Sequence, residues 1–599
     1  MISGLVAVLV CVLSLTCSDD VKDQFYTTFE EELITSYLEK NPERYSDFLE
    51  LLKASGVANL LNAYGTYTCF APTNEAVQAY YAERNTSFDQ LTPTEARDLV
   101  YNHILPVTLN SIDFPQGVVS TANLSEKFLN ISYTIVDSVK AIIINDRSRV
   151  VVIDQDVHNG VIHTVDAVIL SSKIQLPEII QYAERFNLFT EALFATGLSD
   201  SLRLMDDKNY VPGTITSAYS GKKFITPPYL KRGYTAFVES DSVYALNGIN
   251  NLNDLKQYAA TVYDEMYPAD KNITDITNRK NSLNRFVAYH LMNKIQASNE
   301  FMTEERYKAF IPNTVVQQYN EMMCPNTLME ITTPGNLINK RKDNSAVGLL
   351  TTNHEAMNGI FHEIDGIMTY DRGVEDDVLN KKLRIDIATM MPELITNKLR
   401  AKFVGDVDRY MIPQGYFANM SYTDETQVHY FGCKCWTNYD LDELLLSGKY
   451  DFTLRIPPIP PGRYEIRIGY IQEGGRGVAQ VYFDGQPCGI PLNMSIGSSD
   501  PKIGYLQDNA TPDNGVENDK MMRNRGYIKG PTSIYVLDQS GIARDQQKSI
   551  RRILTTQTFS EASPHTLRVK SVEERTDRQY HLDYMEFVPS SYLEKEGRD

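Results

Sequence analysis

The stretch Asn159–Val168 (NGVIHTVDAV) decides the fold of this chain, because it occurs a second time as Asn358–Ile367 (NGIFHEIDGI). The Asn, Gly, His and Asp of the two copies stand at matching positions. An Asn-Gly pair favours a turn because both residues tolerate positive φ, and the β-branched residues that follow it favour a strand. Each copy therefore predicts a turn followed by a strand, and the two together predict an internal repeat.

Three further pairs of segments recur in the same order along the chain. The pairs are Phe48–Gly56 (FLELLKASG) with Phe189–Gly197 (FTEALFATG), Tyr67–Phe70 (YTCF) with Tyr234–Phe237 (YTAF), and His103–Leu105 (HIL) with His290–Met292 (HLM). The separation between matching segments grows along the chain, so the second copy carries insertions, which belong in surface loops. In the first copy helical spacing precedes alternating strand patterns, which predicts an α+β domain that the chain contains twice.

The segments that carry the repeat resemble the three signature segments of the fasciclin domain. The matching residues are Thr68, Phe70, Ala71, Pro72, Thr73, Asn74, His103, Asn159, Gly160, His163 and Asp166 in the first copy, and Phe237, His290, Asn358, Gly359, His362 and Asp365 in the second. The second copy departs from the pattern where Val238–Asp241 (VESD) replaces Ala71–Asn74 (APTN). The resemblance implies two tandem fasciclin-like domains, residues 25–172 and 177–372, with helices packed on a β-sandwich wedge. It also implies adhesion without a small-molecule cofactor.

The N-terminus predicts export. Residues 1–17 are apolar and too short to span a bilayer, which is typical of a signal peptide. Ser14–Cys17 (SLTC) resembles a bacterial lipobox, and Cys17–Asp20 (CSDD) resembles the surface-export signal of Bacteroidota lipoproteins. These segments predict lipidation of Cys17 and a lipid anchor in the outer membrane, with the protein exposed at the cell surface. The alternative is an ordinary cleaved signal peptide with an incidental Cys, which gives a secreted protein.

Composition narrows the classes of function. The net charge of −19 over 599 residues excludes a nucleic-acid partner, since binding of nucleic acid needs a basic face. The seven cysteines are scattered and do not make a disulfide framework. The chain has no nucleophile elbow, no phosphate loop and no paired-carboxylate motif, so we expect no enzymatic activity.

The repeated histidines admit two interpretations. His103, His163, His290 and His362 recur in register, as metal ligands or catalytic residues would. The alternative, which we favour, is a set of buried rings whose N–H groups bond backbone carbonyls, because no carboxylate or Cys cluster repeats with them. For Asp166 and Asp365 the alternatives are a cation at a partner interface and, more commonly, a strand-end carboxylate tied to the Asn-Gly turn. We therefore predict no metal and no cofactor.

The character of the chain changes after Asp376. Apolar spacing over Leu379–Leu399 predicts a helix that opens a third domain, residues 380–595. Segments that alternate apolar and polar residues follow, and they predict an antiparallel β-sandwich. These segments are Tyr450–Ile456, Gly462–Tyr470, Val478–Gly485, His565–Val569 and Leu582–Phe587. They resemble strands in the jelly-roll sandwiches of carbohydrate-binding modules.

Trp436 is the only Trp of the chain, and with Tyr430 and Tyr439 it is the best candidate for a sugar-stacking platform. The alternative, which we favour slightly, places Trp436 in the core of the sandwich. The sequence thus predicts a non-enzymatic surface lipoprotein that adheres to an extracellular protein or polysaccharide. Two other functions stay open: a glycan-binding accessory of a polysaccharide-uptake system, and a structural spacer. The ligand and the oligomeric state are not predicted.

Overall fold

The computed structural model of the chain describes residues 32–599, with gaps at 63–64, 120, 126, 137–138, 146, 171–173, 204–206, 302–315, 334, 401–407, 433–437, 440–441 and 537–540. Two residues singled out above, Cys17 and Trp436, lie outside the described residues. Among the described residues, no helix combines the length and the apolar character that a membrane crossing requires.

Helices are concentrated in the first half of the described chain. The α-helices are α1 (Ile34–Lys40), α2 (Pro42–Ala54), α3 (Val57–Leu61), α4 (Asn74–Arg84), α5 (Pro93–Tyr101), α6 (Leu176–Tyr182), α7 (Asn187–Ala195), α8 (Leu198–Ser201), α9 (Asp241–Leu246), α10 (Leu252–Met266), α11 (Ser282–Tyr289), α12 (Pro392–Thr396) and α13 (Val516–Asn524). Short 3-10 segments lie at Phe88–Gln90, Ser111–Asp113, Ser298–Glu300, Ala388–Met390, Asp508–Ala510 and Ala543–Asp545, and a π-helical segment lies at Val374–Leu379.

Strands occur along the whole described chain. They are β1 (Tyr67–Pro72), β2 (Ile104–Leu105), β3 (Gly117–Val118), β4 (Asn130–Val136), β5 (Val139–Ile144), β6 (Ser148–Val157), β7 (Gly160–Val165), β8 (Thr214–Thr216), β9 (Lys223–Ile225), β10 (Tyr234–Glu239), β11 (Leu291–Met292), β12 (Val316–Glu321), β13 (Leu328–Thr333), β14 (Leu337–Ile338), β15 (His354–Ala356), β16 (Gly359–Ile364), β17 (Leu383–Asp386), β18 (Asp408–Ile412), β19 (Met420–Tyr422), β20 (Thr426–Gly432), β21 (Asp442–Gly448), β22 (Asp451–Ile459), β23 (Gly462–Ile471), β24 (Val478–Phe483), β25 (Gln486–Pro487), β26 (Leu492–Asn493), β27 (Tyr527–Lys529), β28 (Tyr535–Val536), β29 (Gly541–Ile542), β30 (Ser549–Phe559), β31 (Ser563–Ser571), β32 (Gln579–Leu582) and β33 (Tyr584–Pro589). We call residues 32–170 the first unit, residues 174–372 the second unit and residues 383–599 the C-terminal unit.

The first unit is organised around the parallel strands β1 and β7, in a seven-stranded sheet of order β2-β1-β7-β6-β5-β4-β3. Strand β1 is buried along its whole length because both of its faces are covered. Cys69 and Ala71 face the core formed with the helices, whereas Phe70 faces a second core formed with the later strands. The predicted turn lies between β6 and β7, where Val157 pairs with Gly160.

The second unit repeats this arrangement around β10 and β16. These two strands are parallel, and they lie in a four-stranded sheet of order β11-β10-β16-β15. Phe237 pairs with His362 in the register in which Phe70 of the first unit pairs with His163. Strands β12, β13 and β14 form a separate sheet, and the hairpin β8-β9 lies in the predicted insertion.

The C-terminal unit consists mainly of two facing layers of sheet. One layer contains a four-stranded sheet (β18-β20-β21-β32) and a five-stranded sheet (β17-β33-β23-β30-β27), which adjoin where β32 and β33 are separated by Asp583 alone. The other layer is the six-stranded sheet that contains β22, β31 and β24. Phe483 of β24 packs against Phe559 and Phe587 of the first layer, each with 6.2 Å between ring centroids.

Two expectations for this part of the chain are wrong. The segment Leu379–Leu399 is not one helix, because Leu383–Asp386 forms strand β17 beside β33, and Pro392 begins the short helix α12. Proline lacks a backbone N–H and clashes with the preceding turn, so it ends a longer helix. The unit is also not purely β. Helix α13 begins after Gly515 (φ 86°), where the Asp513 carboxylate accepts a hydrogen bond from Glu517 N at 2.7 Å.

Candidate functional site

The Asn of the repeated motif fastens two helices to its strand. In the first unit, Asn159 Oδ1 accepts a hydrogen bond from Ile34 N at 2.9 Å, and Asn159 Nδ2 donates to Leu61 O. The first contact holds the start of α1 and the second holds the end of α3. Asn358 occupies the same position in the second unit, where it accepts from Leu176 N at 2.9 Å and donates to Leu202 O.

The Gly of the motif is required by a close approach of backbone. Gly160 has a φ of 142°, and a Cβ added there lies 1.8 Å from Tyr67 O on the neighbouring strand. At Gly359 a Cβ lies 2.6 Å from Tyr234 O. The Asn-Gly pair therefore serves strand pairing and helix attachment in both units.

His103 and His163 of the first unit are buried packing residues. His103 Nδ1 bonds Leu99 O at 2.9 Å, and its Nε2 accepts from Ile169 N at 3.0 Å. His163 Nε2 bonds Leu109 O at 2.9 Å, and its Nδ1 accepts from Asp154 N at 3.1 Å. Burial lowers the pKa of His103 to about 4 and also lowers the pKa of His163, so both rings are neutral near pH 7.

The second unit keeps one of these histidine arrangements and changes the other. His362 Nε2 bonds Gln296 O at 3.1 Å and its Nδ1 accepts from Asn353 N at 3.2 Å, as His163 does in the first unit. His290 Nδ1 bonds Phe286 O at 2.7 Å, but its Nε2 contacts Glu239 Oε1 at 2.8 Å instead of a backbone amide. All four rings are buried and hydrogen-bonded inside the fold, three of them to backbone groups alone and His290 to a backbone carbonyl and a carboxylate.

The sequence did not predict Glu239 as a site residue, because the first unit has Pro72 at the matching position. Both residues end their strand, Pro72 opposite Val165 and Glu239 opposite Ile364. The Glu239 carboxylate is fully buried and accepts hydrogen bonds from Met368 N at 3.1 Å and Tyr244 Oη at 3.0 Å in addition to its contact with His290. The signal that could have found it is an acidic residue at the end of an otherwise apolar strand.

The turn that differs between the two copies connects an equivalent pair of helices in each unit. In the first unit Thr73 caps α4 by accepting from Ala76 N at 3.2 Å, and Asn74 Oδ1 accepts from Asp47 N in α2 at 3.0 Å. In the second unit Asp241 accepts from Leu188 N in α7 at 2.9 Å. Asn74 and Asp241 thus hold equivalent pairs of helices together, although their side chains differ.

Asp166 and Asp365 are tied to neighbouring strands or loops, which corrects the expected link to the Asn-Gly turn. Asp166 accepts from Arg149 N at 2.9 Å and forms an ion pair with the Arg149 side chain, and Asp365 accepts from Gly348 N at 2.7 Å. The Asn-Gly turn lies at the other end of each strand. A strand of six residues separates the two by about 20 Å, so direct contact is impossible.

The proposed aromatic platform is not available at two of its three positions. Tyr430 is fully buried and donates to Asp442 Oδ2 at 3.0 Å. Tyr439 is 5% exposed and packs against Tyr584. Neither ring offers a face to a sugar, so Tyr430 and Tyr439 are wrong as ligand-binding residues and belong to the core. Trp436 lies outside the described residues, and its role as a platform stays a prediction.

The remaining reactive groups are dispersed or buried. Within the described ranges, no group of three or more His, Cys, Asp or Glu side chains is placed to hold a metal ion. Cys69, Cys324 and Cys488 are buried free thiols, and burial raises the pKa of Cys324 to about 12 and that of Cys488 to about 11. Thiols with such pKa values are poor nucleophiles at neutral pH.

The first unit does expose a group of apolar side chains. Ile112 is 90% exposed in the 3-10 segment before β3, and Val151 and Ile153 are 42% and 48% exposed on β6. Ser111 N donates to Asp154 Oδ1 at 2.7 Å, which fixes the segment that carries Ile112 beside β6. We call Ile112, Val151 and Ile153 the apolar patch. Contiguous exposed apolar surface marks contact sites, so these three residues are a candidate contact.

Comparisons with known proteins agree with the geometry of the first unit. Residues 43–171 match the family described as Fasciclin domain. A Synechocystis sp. protein named Protein sll1483 is 31% identical over 131 residues, which cover 21% of this chain and 68% of that protein.

Two solved structures show more distant similarity. A fasciclin domain pair from the insect cell adhesion molecule fasciclin I is 15% identical with a TM-score of 0.26, over 55% of this chain and 98% of that one. A Paenibacillus xanthan lyase is 11% identical with a TM-score of 0.17, over 28% of this chain and 12% of that one. Because these TM-scores and identities are low, the assignment to a family rests on the family match and on the Synechocystis sp. relative.

Proposed function

Because the chain belongs to the fasciclin domain family, we propose that it is a non-enzymatic adhesion protein that binds an extracellular protein or polysaccharide. The observation that supports this function is that the side chains of the repeated motif are buried and serve the fold. Asn159, His103 and His163 are buried and hydrogen-bonded inside the first unit, so they are occupied by the fold. A partner then meets the unit through its exposed face, and on that face the apolar patch is the best candidate contact.

We further propose that residues 174–372 form a second fasciclin-like domain. The support is the common register of the parallel strand pairs and the equivalent contacts of Asn159 and Asn358. We propose that the C-terminal unit, with its two facing layers of sheet, is a jelly-roll-like module. It either serves as a spacer for the first and second units or binds a glycan.

The proposed location is the surface of the outer membrane, through a lipid on Cys17. Support comes from the sequence alone, from the apolar leader and the lipobox-like segment. The test is metabolic labelling with a fatty acid. The wild-type protein is expected to take up the label, and Cys17→Ala is expected to lose it and to leave the membrane fraction. Equal labelling of both proteins contradicts the anchor.

The adhesion proposal is tested with the full chain in a cell- or matrix-binding assay. Ile112→Asp and Ile153→Asp place a charge in the apolar patch, and each is expected to reduce adhesion at least about tenfold, because burying an unpaired charge in the contact is costly. The matched control is Leu246→Asp, which alters an 87% exposed side chain in the second unit. Adhesion that falls equally in the control, or in none of the variants, rejects the patch as the contact.

A second function, an accessory role in glycan acquisition, is favoured by the two-layer sheet of the C-terminal unit and would use its surface. Binding of polysaccharides to the full chain, measured on an array, separates the two functions. If the apolar-patch variants bind polysaccharide normally and yet fail to adhere to cells, a protein partner is the better assignment. If Trp436→Ala removes polysaccharide binding, the accessory role is the better one.

A further inference from the structure

A cavity of about 350 Å³ lies where the second unit meets the C-terminal unit. The second unit contributes β10, β11 and β12 with the residues beside them, and the C-terminal unit contributes the segment around α12 and the edge of β22. Its volume is within the range of small-molecule sites. Its polar lining includes Lys231, Arg232, Lys294, Glu393 and Thr396.

Lys294 is a buried cation without a carboxylate partner. Its side chain is 5% exposed, and Nζ donates to Asn320 Oδ1 at 2.6 Å. An ammonium group has three protons to donate, and within the described part of the chain Lys294 forms no ion pair. Burial lowers the pKa of Lys294 to about 7, because the charged form of the amine is unfavourable away from water.

Glu393 is a buried side chain with one oxygen that lacks a hydrogen-bond donor from the residues that the structure describes. Its residue is 4% exposed, and Oε1 accepts from Ala418 N at 3.0 Å. Its Oε2 is buried and has no hydrogen-bond partner among the described residues. Burial raises the pKa of the Glu393 carboxyl, and the charge of Arg232 opposes that rise. A buried oxygen without a partner is unfavourable, so a ligand group that donates a hydrogen bond to it removes that cost.

The other charged pair on the cavity wall is already neutralised. Arg455 and Glu321 form a two-point ion pair, with both N···O distances at 2.6 Å. This pair lines the cavity and contributes little net charge to it. Lys294 and Arg232 therefore remain with Glu393 as the charged groups on the cavity wall, apart from Lys231, whose Nζ lies over the Tyr229 ring.

We propose that this cavity binds a small sugar acid, a polyhydroxylated ligand with one carboxylate. The ligand carboxylate accepts hydrogen bonds from Lys294, and a ligand hydroxyl donates to Glu393 Oε2. Tyr234 and Tyr319 also line the cavity, but both are buried and supply no stacking face. A neutral sugar leaves Lys294 without a counter-ion, and a simple carboxylate such as acetate leaves Glu393 unbonded. The site is separate from the apolar patch, so it does not depend on the proposed adhesion function.

The test is calorimetric titration of the full chain with D-galacturonate and D-glucuronate, against D-galactose, D-glucose and acetate. At least one uronate is expected to bind at least ten times more tightly than its neutral sugar and than acetate. Lys294→Gln retains a polar tip but no charge, and it is expected to weaken uronate binding at least tenfold and to remove the preference for the uronate. Glu393→Gln is expected to weaken the binding of uronates and neutral sugars alike.

The matched control is Lys520→Gln, an exposed lysine on α13 whose ion pair with Glu517 lies far from the cavity lining. It is expected to bind as the wild type does. Circular dichroism of each variant verifies folding, and Lys294→Met replaces Lys294→Gln if the latter does not fold. The proposal is overturned if the folded wild-type protein binds neither uronate at millimolar concentration, or if the Lys294 variants bind the uronate as the wild type does.

Discussion

Glu239 Oε1 lies 2.8 Å from His290 Nε2 in a fully buried pair that the first unit lacks. Both ring nitrogens of His290 face oxygen atoms, Phe286 O and Glu239 Oε1. In the first unit the corresponding ring, His103, accepts from Ile169 N directly. The second unit has therefore replaced a direct ring-to-backbone contact with one that passes through a carboxylate.

We predict that Glu239→Ala destabilises the second unit by about 3–5 kcal/mol, because the change leaves His290, Met368 N and Tyr244 Oη buried without their acceptor. Denaturant unfolding followed by hydrogen exchange in the second unit measures the loss. Glu517→Ala removes an exposed carboxylate and serves as the control. A change below about 0.5 kcal/mol would mean that water replaces the carboxylate.

We predict that the first unit loses stability as pH falls from about 6.5 to about 4. The unfolded ring of His103 binds a proton near 6.5, whereas the folded ring does so near 4. The unfolded state binds more protons in this window, so the contribution of the ring is complete above pH 6.5 and is lost on acidification. Each such ring adds a slope of up to about 1.4 kcal/mol per pH unit.

The measurement is the unfolding free energy of the first unit at several pH values. His103→Gln keeps a donor and an acceptor but does not titrate. The slope of its unfolding free energy against pH is therefore expected to be smaller by the contribution of one histidine. His158→Gln changes an exposed histidine and serves as the control. An unchanged slope in His103→Gln would assign the pH dependence to other groups.

We predict that Gly160→Ala destabilises the first unit by about 3 kcal/mol or more. A non-glycine residue at φ 142° costs about 1–3 kcal/mol by itself, and the added Cβ also meets Tyr67 O. Thermal unfolding measures the effect. At Gly474 nothing lies within 4 Å of the added Cβ, so Gly474→Ala is the matched control and is expected to be neutral. Equal stability of the two variants would show that β7 shifts away from β1 at little cost.

We predict that Asp583→Asn stabilises the C-terminal unit near pH 8. Burial raises the pKa of Asp583 well above its ordinary value, so deprotonation in the folded state is costly. The stability contributed by the protonated acid is complete below pH 3.8 and is lost as the pH rises. The amide oxygen of Asn can still accept from Tyr439 N, which now bonds the carboxylate at 3.0 Å.

The gain in stability is expected to be largest near pH 8 and to shrink as the pH approaches 4. The unfolding free energies of wild type and variant across this range give the result. Asp577→Asn, at an exposed position that precedes β32, serves as the control. A variant less stable than the wild type at pH 8 would show that the amide N–H₂ group finds no partner.

The parts of the fold that the sequence predicted are those that local chemistry determines. The Asn-Gly turns and the buried histidines follow from the geometry that each residue type prefers, and they are present. The sequence did not reveal Glu239 or the strand β17, because both depend on residues far along the chain. Glu239 needs His290, and β17 needs β33.

The aromatic cluster was misassigned for a related reason. A group of aromatic residues has the same composition in a core and on a binding surface, and only the layer that covers Tyr430 and Tyr439 distinguishes the two. The cavity that contains Lys294 and Glu393 lies between elements from two units, so no local pattern in the sequence marks it.

The pairing of β17 with β33 also governs the order in which the protein is assembled. Leu383 pairs with Phe587, so the strand that opens the C-terminal unit has no partner until the whole of that unit up to β33 has been synthesised. Until then its backbone N–H and C=O groups form an open edge, which is a site for mispairing with another chain. Loss of the last few dozen residues would leave that edge open permanently, and with it one side of β23. A stop codon placed before β33 is thus expected to give an aggregating product, in spite of the two intact units that precede it.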